Sequence, residues 1–280
     1  MKPVRLEDRI KGGIYGVAVG DALGAAVEFM SREEIRRKYG VLREIVGGGW
    51  LNLRPGEWTD DTEMTLAVAK GIITDPEDPI PHIGKAFIEW RNTNPPDIGN
   101  TIRTVFDIWE RDGLNHEQWI IAALRADREL NGMSAGNGAL MRTLPVGIAY
   151  RQARDVYRQA MNIANITHWD SKAGLTCSIY SLAVRNILDG ADDRYEAVAK
   201  AADAIRRRTR YTRELSEITD KAVVTDGTSL KPSGYTVDSF HCAVWAFVEA
   251  TDFEDAVVRA VNLGGDADTI GAIAGGLAGV

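Results

Sequence analysis

The sequence predicts an all-α protein, a single compact multi-helix globular domain over residues 1–280. Alanine-rich segments with helical periodicity recur along the chain. Alternating β-branched runs bounded by hairpin turns are nearly absent. No Ser/Gly linker, low-complexity stretch or internal repeat divides the 280 residues, and the Pro-bearing stretches "TDPEDPIP" and "NTNPPDIGN" read as connections between helices.

The first helical segment, "EDRIKGGIYGVAVGDALGAAVEFM", carries small residues at Gly12, Gly13, Gly16, Gly20, Gly24, Ala25 and Ala26. Glycine costs about 1 kcal/mol per helix site relative to alanine, so close helix packing is expected to offset it. The segments "DTEMTLAVAKGII", "TIRTVFDIW", "HEQWIIAALRADREL" and "AGLTCSIYSLAVRNILDG" follow, then "RYEAVAKAADAIRR", "TVDSFHCAVWAFVEA" and "FEDAVVRAVNLG". A last helix opens in "NLGGDADTIGAIAGG", and its pattern is still running at Val280, so further chain beyond it is expected.

Apolar residues make up 45% and charged residues 26%, the balance of a globular rather than a disordered chain. A formal charge of −7 argues against general polyanion binding, hence against nucleic acid as a partner. The two cysteines, Cys177 and Cys242, have no CxxC spacing and are expected as buried apolar groups of a reduced, cytoplasmic protein. "MKPVRLEDRIKGG" lacks the apolar core of a secretion signal, and "IGAIAGGLAGV" is shorter than the roughly 20 apolar residues of a membrane span.

"GEWTDDTEM" sets Thr59, Asp60 and Asp61 side by side at a helix start. For this stretch alone capping is the favoured reading, because Asp60 with Glu63 matches a capping box and acids complement the helix dipole. "NLGGDADT" repeats the composition with Asp266, Asp268 and Thr269 after two glycines, and a cap uses only one Asp. Together the stretches offer four carboxylates and two hydroxyls, hard donors suited to Mg²⁺, Mn²⁺ or Ca²⁺ rather than zinc. Converging acids without cations would repel, and a two-metal site removes that conflict. Asp21 and Glu28 are seven apart and are expected on one helical face, Asp21 with a capping or solvated role equally open.

The ordered set "GVAVGDALGAAVEFM", "GEWTDDTEM", "PPDIGNTIR", "GNGALMR", "ITH", "YTVD" and "GGDADT" resembles the ADP-ribosylglycohydrolase family from residue 14 to the C-terminus. The longer stretches look most like its bacterial dinitrogenase-reductase-activating branch. The resemblance implies a binuclear Mn²⁺ or Mg²⁺ cleft, with Thr59, Asp60, Asp61, Asp266, Asp268 and Thr269 holding two ions and Glu28 beside them. It gives Asp97 the proton transfers, with Glu28 orienting. Asn100, Thr101 and Ile102 would line the ADP-ribose site, Gly136, Asn137 and Gly138 the pyrophosphate, His168 the distal ribose or diphosphate, and Tyr235 the adenine.

From the residues alone, Asp97 reads as a turn aspartate after Pro-Pro, Asn100 as the N-cap of "TIRTVFDIW", and "SAGNGALMR" as a tight loop entering a helix. His168 reads as structural and Tyr235 as an amphipathic residue closing a helix start.

The implied activity is removal of ADP-ribose from an arginine of a target protein, dinitrogenase reductase in that branch, by a monomer with a PII-type signalling protein as a further partner. Alternatives are another linkage (serine or small-molecule), a two-metal nucleotide phosphohydrolase, and a non-catalytic ADP-ribose binder. "RRRTRYTRE", with Arg206, Arg207, Arg208, Arg210 and Arg213, reads as a solvated helix end, or more sharply as a docking patch for an acidic partner.

Overall fold

Small residues every fourth position turn one face of the first helix, α1 (Leu6–Gly24), into a smooth stripe. The last helix, α14 (Ala267–Gly279), carries the matching stripe. The two lie antiparallel, Gly12 against Gly279, Gly16 against Gly275 and Gly20 against Gly271. A Cβ added at Gly20 would fall 2.0 Å from the carbonyl oxygen of Gly271. The expected close packing is therefore present, and its consequence is positional: the end of α1 lies beside the start of α14, both rich in acids. Gly20→Ala gains about 1 kcal/mol of helix propensity but forces two backbones apart, a strain worth roughly 3 kcal/mol. A net loss of stability is expected in urea unfolding, and an unchanged midpoint would contradict this packing.

The computed structural model describes residues 4–219 and 227–280, so Met1–Pro3 of the N-terminal stretch lie outside it. Between α1 and α14 the order is α2 (Arg32–Tyr39), α3 (Asp60–Thr74), α4 (Ile80–Arg91), α5 (Asn100–Arg111) and α6 (Trp119–Glu129). Then come α7 (Leu144–Ala149), α8 (Ala153–Ala164), α9 (Ser171–Leu188) and α10 (Arg194–Arg206). The series continues with α11 (Thr212–Thr219), α12 (Thr236–Glu249) and α13 (Phe253–Val261). Among the described residues β-pairing is confined to the isolated bridges Gly48–Leu53 and Gly136–Tyr235. The all-α expectation holds.

α9 is buried along almost its whole length and is the hub, with α7, α8, α10 and α12 packed around it. α12 and α13 also flank α14, while α3 pairs with α4 and α5 with α6. Both cysteines are buried and unpaired, as expected. Among the described residues no helix is long and apolar enough to cross a membrane.

Two local expectations fail. α1 ends at Gly24, so Glu28 lies in the turn beyond it and the shared-face argument for Asp21 and Glu28 does not apply. Asn100 is the first residue of α5, with Gly99 at the cap and no side-chain cap bond. The five arginines of "RRRTRYTRE" are exposed where α10 ends and α11 begins. Arg206 pairs with Asp203, Arg208 donates to the Ala204 carbonyl and Arg210 to the Tyr211 hydroxyl, which fits the solvated reading.

Candidate active site

The start of α3 is capped from another helix. The fully buried carboxylate of Asp21, on α1, accepts the backbone N–H groups of Thr59 at 3.0 Å and Thr62 at 3.0 Å. It also accepts the Thr62 hydroxyl at 2.6 Å, and the Thr59 hydroxyl lies 3.0 Å away. Those amides are orphan donors of the first turn, which a local N-cap side chain would ordinarily satisfy.

The predicted capping box is thus overturned. Thr59 is the N-cap residue with no side-chain cap bond, and Glu63 turns away to accept the indole N–H of Trp58 at 2.9 Å. Because Asp21 does the capping, Asp60 and Asp61 keep carboxylate oxygens for the cleft.

A second set of contacts fixes the opposite wall. Phe29 donates its N–H to the Gly265 carbonyl at 2.6 Å and Gly265 returns its N–H to Met30 at 2.8 Å. This pairing holds the Glu28 turn against the "GGDADT" loop. Gly265 has φ +63°, and an added Cβ would overlap the Pro232 carbonyl, so backbone conformation and close approach both require glycine there. The Asn137 amide donates to Asp266 Oδ2 at 2.6 Å and to Ser239 Oγ at 2.8 Å, anchoring the acid that opens α14. Trp50 donates its indole N–H to Glu28 Oε2 at 2.6 Å.

These contacts bring Glu28, Asp60, Asp61, Asp266, Asp268 and Thr269 to one cavity of about 270 Å³. The same cavity is lined by Asp97, Asn100, Thr101 and Ile102 and by Gly136, Asn137, Gly138 and His168, with Ile102 packed beside Gly138 and Thr101 near Gly136. Thr59 stands just behind, its hydroxyl 3.1 Å from Asp61 Oδ2. Tyr235 does not line the cavity. It pairs with Gly136 through its main chain, its hydroxyl donates to Glu217 at 2.6 Å, and the Lys172 ammonium sits 5.5 Å over its ring. The Gly-Asn-Gly stretch forms a single 3₁₀ turn, Asn137–Ala139, rather than running into a helix, and the Asn137 N–H is already bonded to the Gly234 carbonyl.

Burial makes this cluster electrostatically costly. It pushes the carboxyls of Asp60, Asp61 and Asp268 well above the ordinary range, and neighbouring acids push them further. Burial also raises Asp266, against the bond from Asn137. Asp21 is raised to about 6 by burial, which outweighs its hydrogen bonds, and Glu28 to about 7 by burial despite the Trp50 N–H.

A divalent cation fits. Carboxylate oxygens of Glu28, Asp266 and Asp268 lie within 4.8 Å of one another, as do those of Asp21, Asp61 and Asp268. Asp61 Oδ1 is buried with no hydrogen-bond partner, the mark of an oxygen meant for something else. Asp21 is the exception within its set, because both its oxygens already accept protein donors. Its geometry organises the ligand loop rather than offering a free ligand.

The far side of the cavity has a different character. The fully buried Arg142 guanidinium lies 4.5 Å over the Phe87 ring and donates to Thr167 Oγ1 at 2.6 Å. Burial lowers its pKa to about 10, so it stays cationic near neutrality. Thr167 Oγ1 is also 2.7 Å from His168 Nδ1. Since that oxygen accepts from Arg142, its own proton goes to Nδ1, which leaves the His168 proton on Nε2. Burial, with the nearby Arg142, pushes His168 down to about 3. The ring is therefore a neutral N–H donor beside Gly136 and Gly138, suited to an oxygen-rich ligand.

Asp21, Trp50, Arg142 and Thr167 were not singled out as site residues from sequence. Asp21, Arg142 and Thr167 did fall inside quoted motifs, and that was the available signal.

Comparisons with known proteins identify the family. An ADP-ribosyl dinitrogen-reductase glycohydrolase of Rhodospirillum rubrum is 32% identical over 275 residues, 98% of this chain and 85% of its own. An ADP-ribosylarginine hydrolase of Pseudomonas putida is 30% identical over 287 residues, covering 100% of this chain and 72% of its own. A solved structure described as an ADP-ribosylglycohydrolase-related protein complex matches with a TM-score of 0.78 at 30% identity, over 98% of this chain and 87% of that one. With the sequence model of the family also matching residues 2–280, this chain belongs to the ADP-ribosylglycohydrolase family.

Proposed function

We propose that this glycohydrolase releases ADP-ribose from a modified arginine of a target protein, with residues 1–280 acting as one domain and two Mn²⁺ or Mg²⁺ ions as cofactor. The observation that supports it best is the juxtaposition of an acid cradle, including the unpartnered Asp61 Oδ1, with the neutral N–H donor of His168 across one cavity. The arginine linkage and dinitrogenase reductase as target rest on what the Rhodospirillum rubrum and Pseudomonas putida relatives are named for.

Thr59, Asp60, Asp61, Asp266, Asp268 and Thr269 would hold the ions. When bound, these would neutralise the acids, grip ribose hydroxyls and polarise a water. The protein's own residues do the rest. The Gly136–Gly138 turn and His168 Nε2–H bind the ligand's oxygens, and Asn100, Thr101 and Ile102 line the same cavity beside them. Glu28, fixed by Trp50, orients the ribose. Guanidine leaves readily only if it stays protonated, while C1 develops oxocarbenium character. Asp97, with Arg103 3.9 Å away, is placed to take the proton that the attacking water loses as it bonds to C1 and to pass it to the departing guanidine.

The test is incubation with Mn²⁺ and either arginine- or serine-ADP-ribosylated protein, with product analysis. Free ADP-ribose from the arginine substrate alone is expected; release from the serine substrate alone would move the linkage, and released phosphate would make it a phosphohydrolase. Asp97→Ala should lower turnover by roughly 10²-fold or more, as loss of a general acid–base group does, while Mn²⁺ binding persists. Retained turnover in that variant would remove Asp97 from the mechanism.

A further inference from the structure

A second cavity, of about 530 Å³, opens on the other side of Asp60 and Asp97, between α3 and α4. Asp60 and Asp97 line both cavities, so the two adjoin at these acids. We propose that this outer groove seats the aglycone: the modified arginine and the basic, apolar polypeptide segment around it. The inference rests on the arginine reading above.

Charge decides which end of the substrate goes where. Four carboxylates, Asp60, Glu63, Glu89 and Asp97, line the outer groove. Its one cationic side chain, Lys70, is already paired with Glu89 at 2.7 Å. A pyrophosphate would meet repulsion there, whereas the inner cavity, whose own acids the proposed cations would neutralise, gives it the glycine turn and the His168 N–H. A guanidinium and neighbouring Lys or Arg side chains meet complementary charge in the outer groove.

The surface between the acids is apolar and open. Trp58 is 44% exposed and Leu66 43% exposed, and Trp90, Pro95 and Pro96 form the rest of that wall. Trp58 is held in place by its bond to Glu63, so an aromatic face and an acid are presented together, a pairing suited to a guanidinium. With the phosphates inside and the cation outside, the ribose–guanidinium bond falls where the cavities adjoin, beside Asp97.

The test uses the Mn²⁺-loaded enzyme and three substrates: a small ADP-ribosylated guanidine, a peptide with one ADP-ribosylarginine flanked by Lys and Leu, and the same peptide flanked by Asp and Glu. Wild type should show kcat/KM roughly tenfold higher for the basic peptide than for the acidic one at low salt. Leu66→Arg, at an exposed site, should shrink that preference to below about twofold, through KM rather than kcat. Equal kcat/KM for the two peptides in wild type, or an undiminished preference in Leu66→Arg, would overturn the groove assignment while hydrolysis of the small guanidine leaves the arginine reading standing. No release from the small guanidine or either peptide would overturn both.

Discussion

Asp21→Ala should weaken Mn²⁺ binding by about 10- to 100-fold, the usual effect of losing a group that holds ligands from behind. Stability should fall by about 3 kcal/mol, because the Thr59 and Thr62 amides and the Thr62 hydroxyl are left buried and unpartnered. The loss acts on the site because the Asp21 carboxylate is what pins the first turn of α3. Without it, Thr59 becomes the natural cap for its own helix and its hydroxyl leaves Asp61. Mn²⁺ titration and urea unfolding of the metal-saturated protein read the two effects separately. Wild-type affinity in a folded Asp21→Ala protein would show that the ligand loop does not need this anchor.

The metal-free protein should lose stability as pH rises, opposite to most acid-sensitive proteins. Asp21 sits near 6 against an ordinary value of 3.8, and Glu28 near 7 against 4.5. The folded state therefore holds protons that the unfolded chain releases. The stabilisation is complete below about pH 4 and declines through pH 7, by about 1.4 kcal/mol per pH unit for each proton held. Asp60, Asp61 and Asp268 shift the same way and add to the decline.

Divalent cations reverse the sign, since they bind the deprotonated ligands and their grip tightens with pH. Thermal unfolding at pH 5, 7 and 8, with chelator or Mn²⁺, should show a Tm that falls with pH only in chelator, and a Mn²⁺ gain that widens. A chelator Tm that is flat or rises with pH would mean the acids are not crowded as described.

What could be read from sequence follows from how local each signal is. The acids of "TDDT" and "GGDADT" stood out because both clusters are contiguous, and all of them face the same cavity except Thr59, one layer back. The x-x-Glu spacing misled because two helices carry it. At Ser31 and Glu34 it makes a true capping box, with Glu34 accepting the Ser31 N–H at 2.8 Å. At Asp60 and Glu63 it does not, because Asp21 already occupies the cap position from 38 residues upstream. Periodicity cannot see such a contact. Nor does it see Trp50 reaching Glu28, or Arg142 setting the tautomer of His168 through Thr167. The helix face assumed for Glu28 failed for another reason: Gly24 ends α1, and Phe29 adopts φ +63° in the turn that follows.

The glycine seam between α1 and α14 also sets the order in which the site can come into being. Asp21 lies on α1 and Asp268 on α14, so the residue that anchors the acids of α3 meets the acids of α14 only when these two helices dock. Docking closes a loop of nearly the whole chain, and non-local closure of this kind is slow to nucleate. Until then the acids of α3 stay apart from those of α14, and the site is inert. The final step therefore carries both the loop closure and the crowding of the carboxylates. A divalent cation held between Asp61 of α3 and Asp268 of α14 would act as a clasp on that seam.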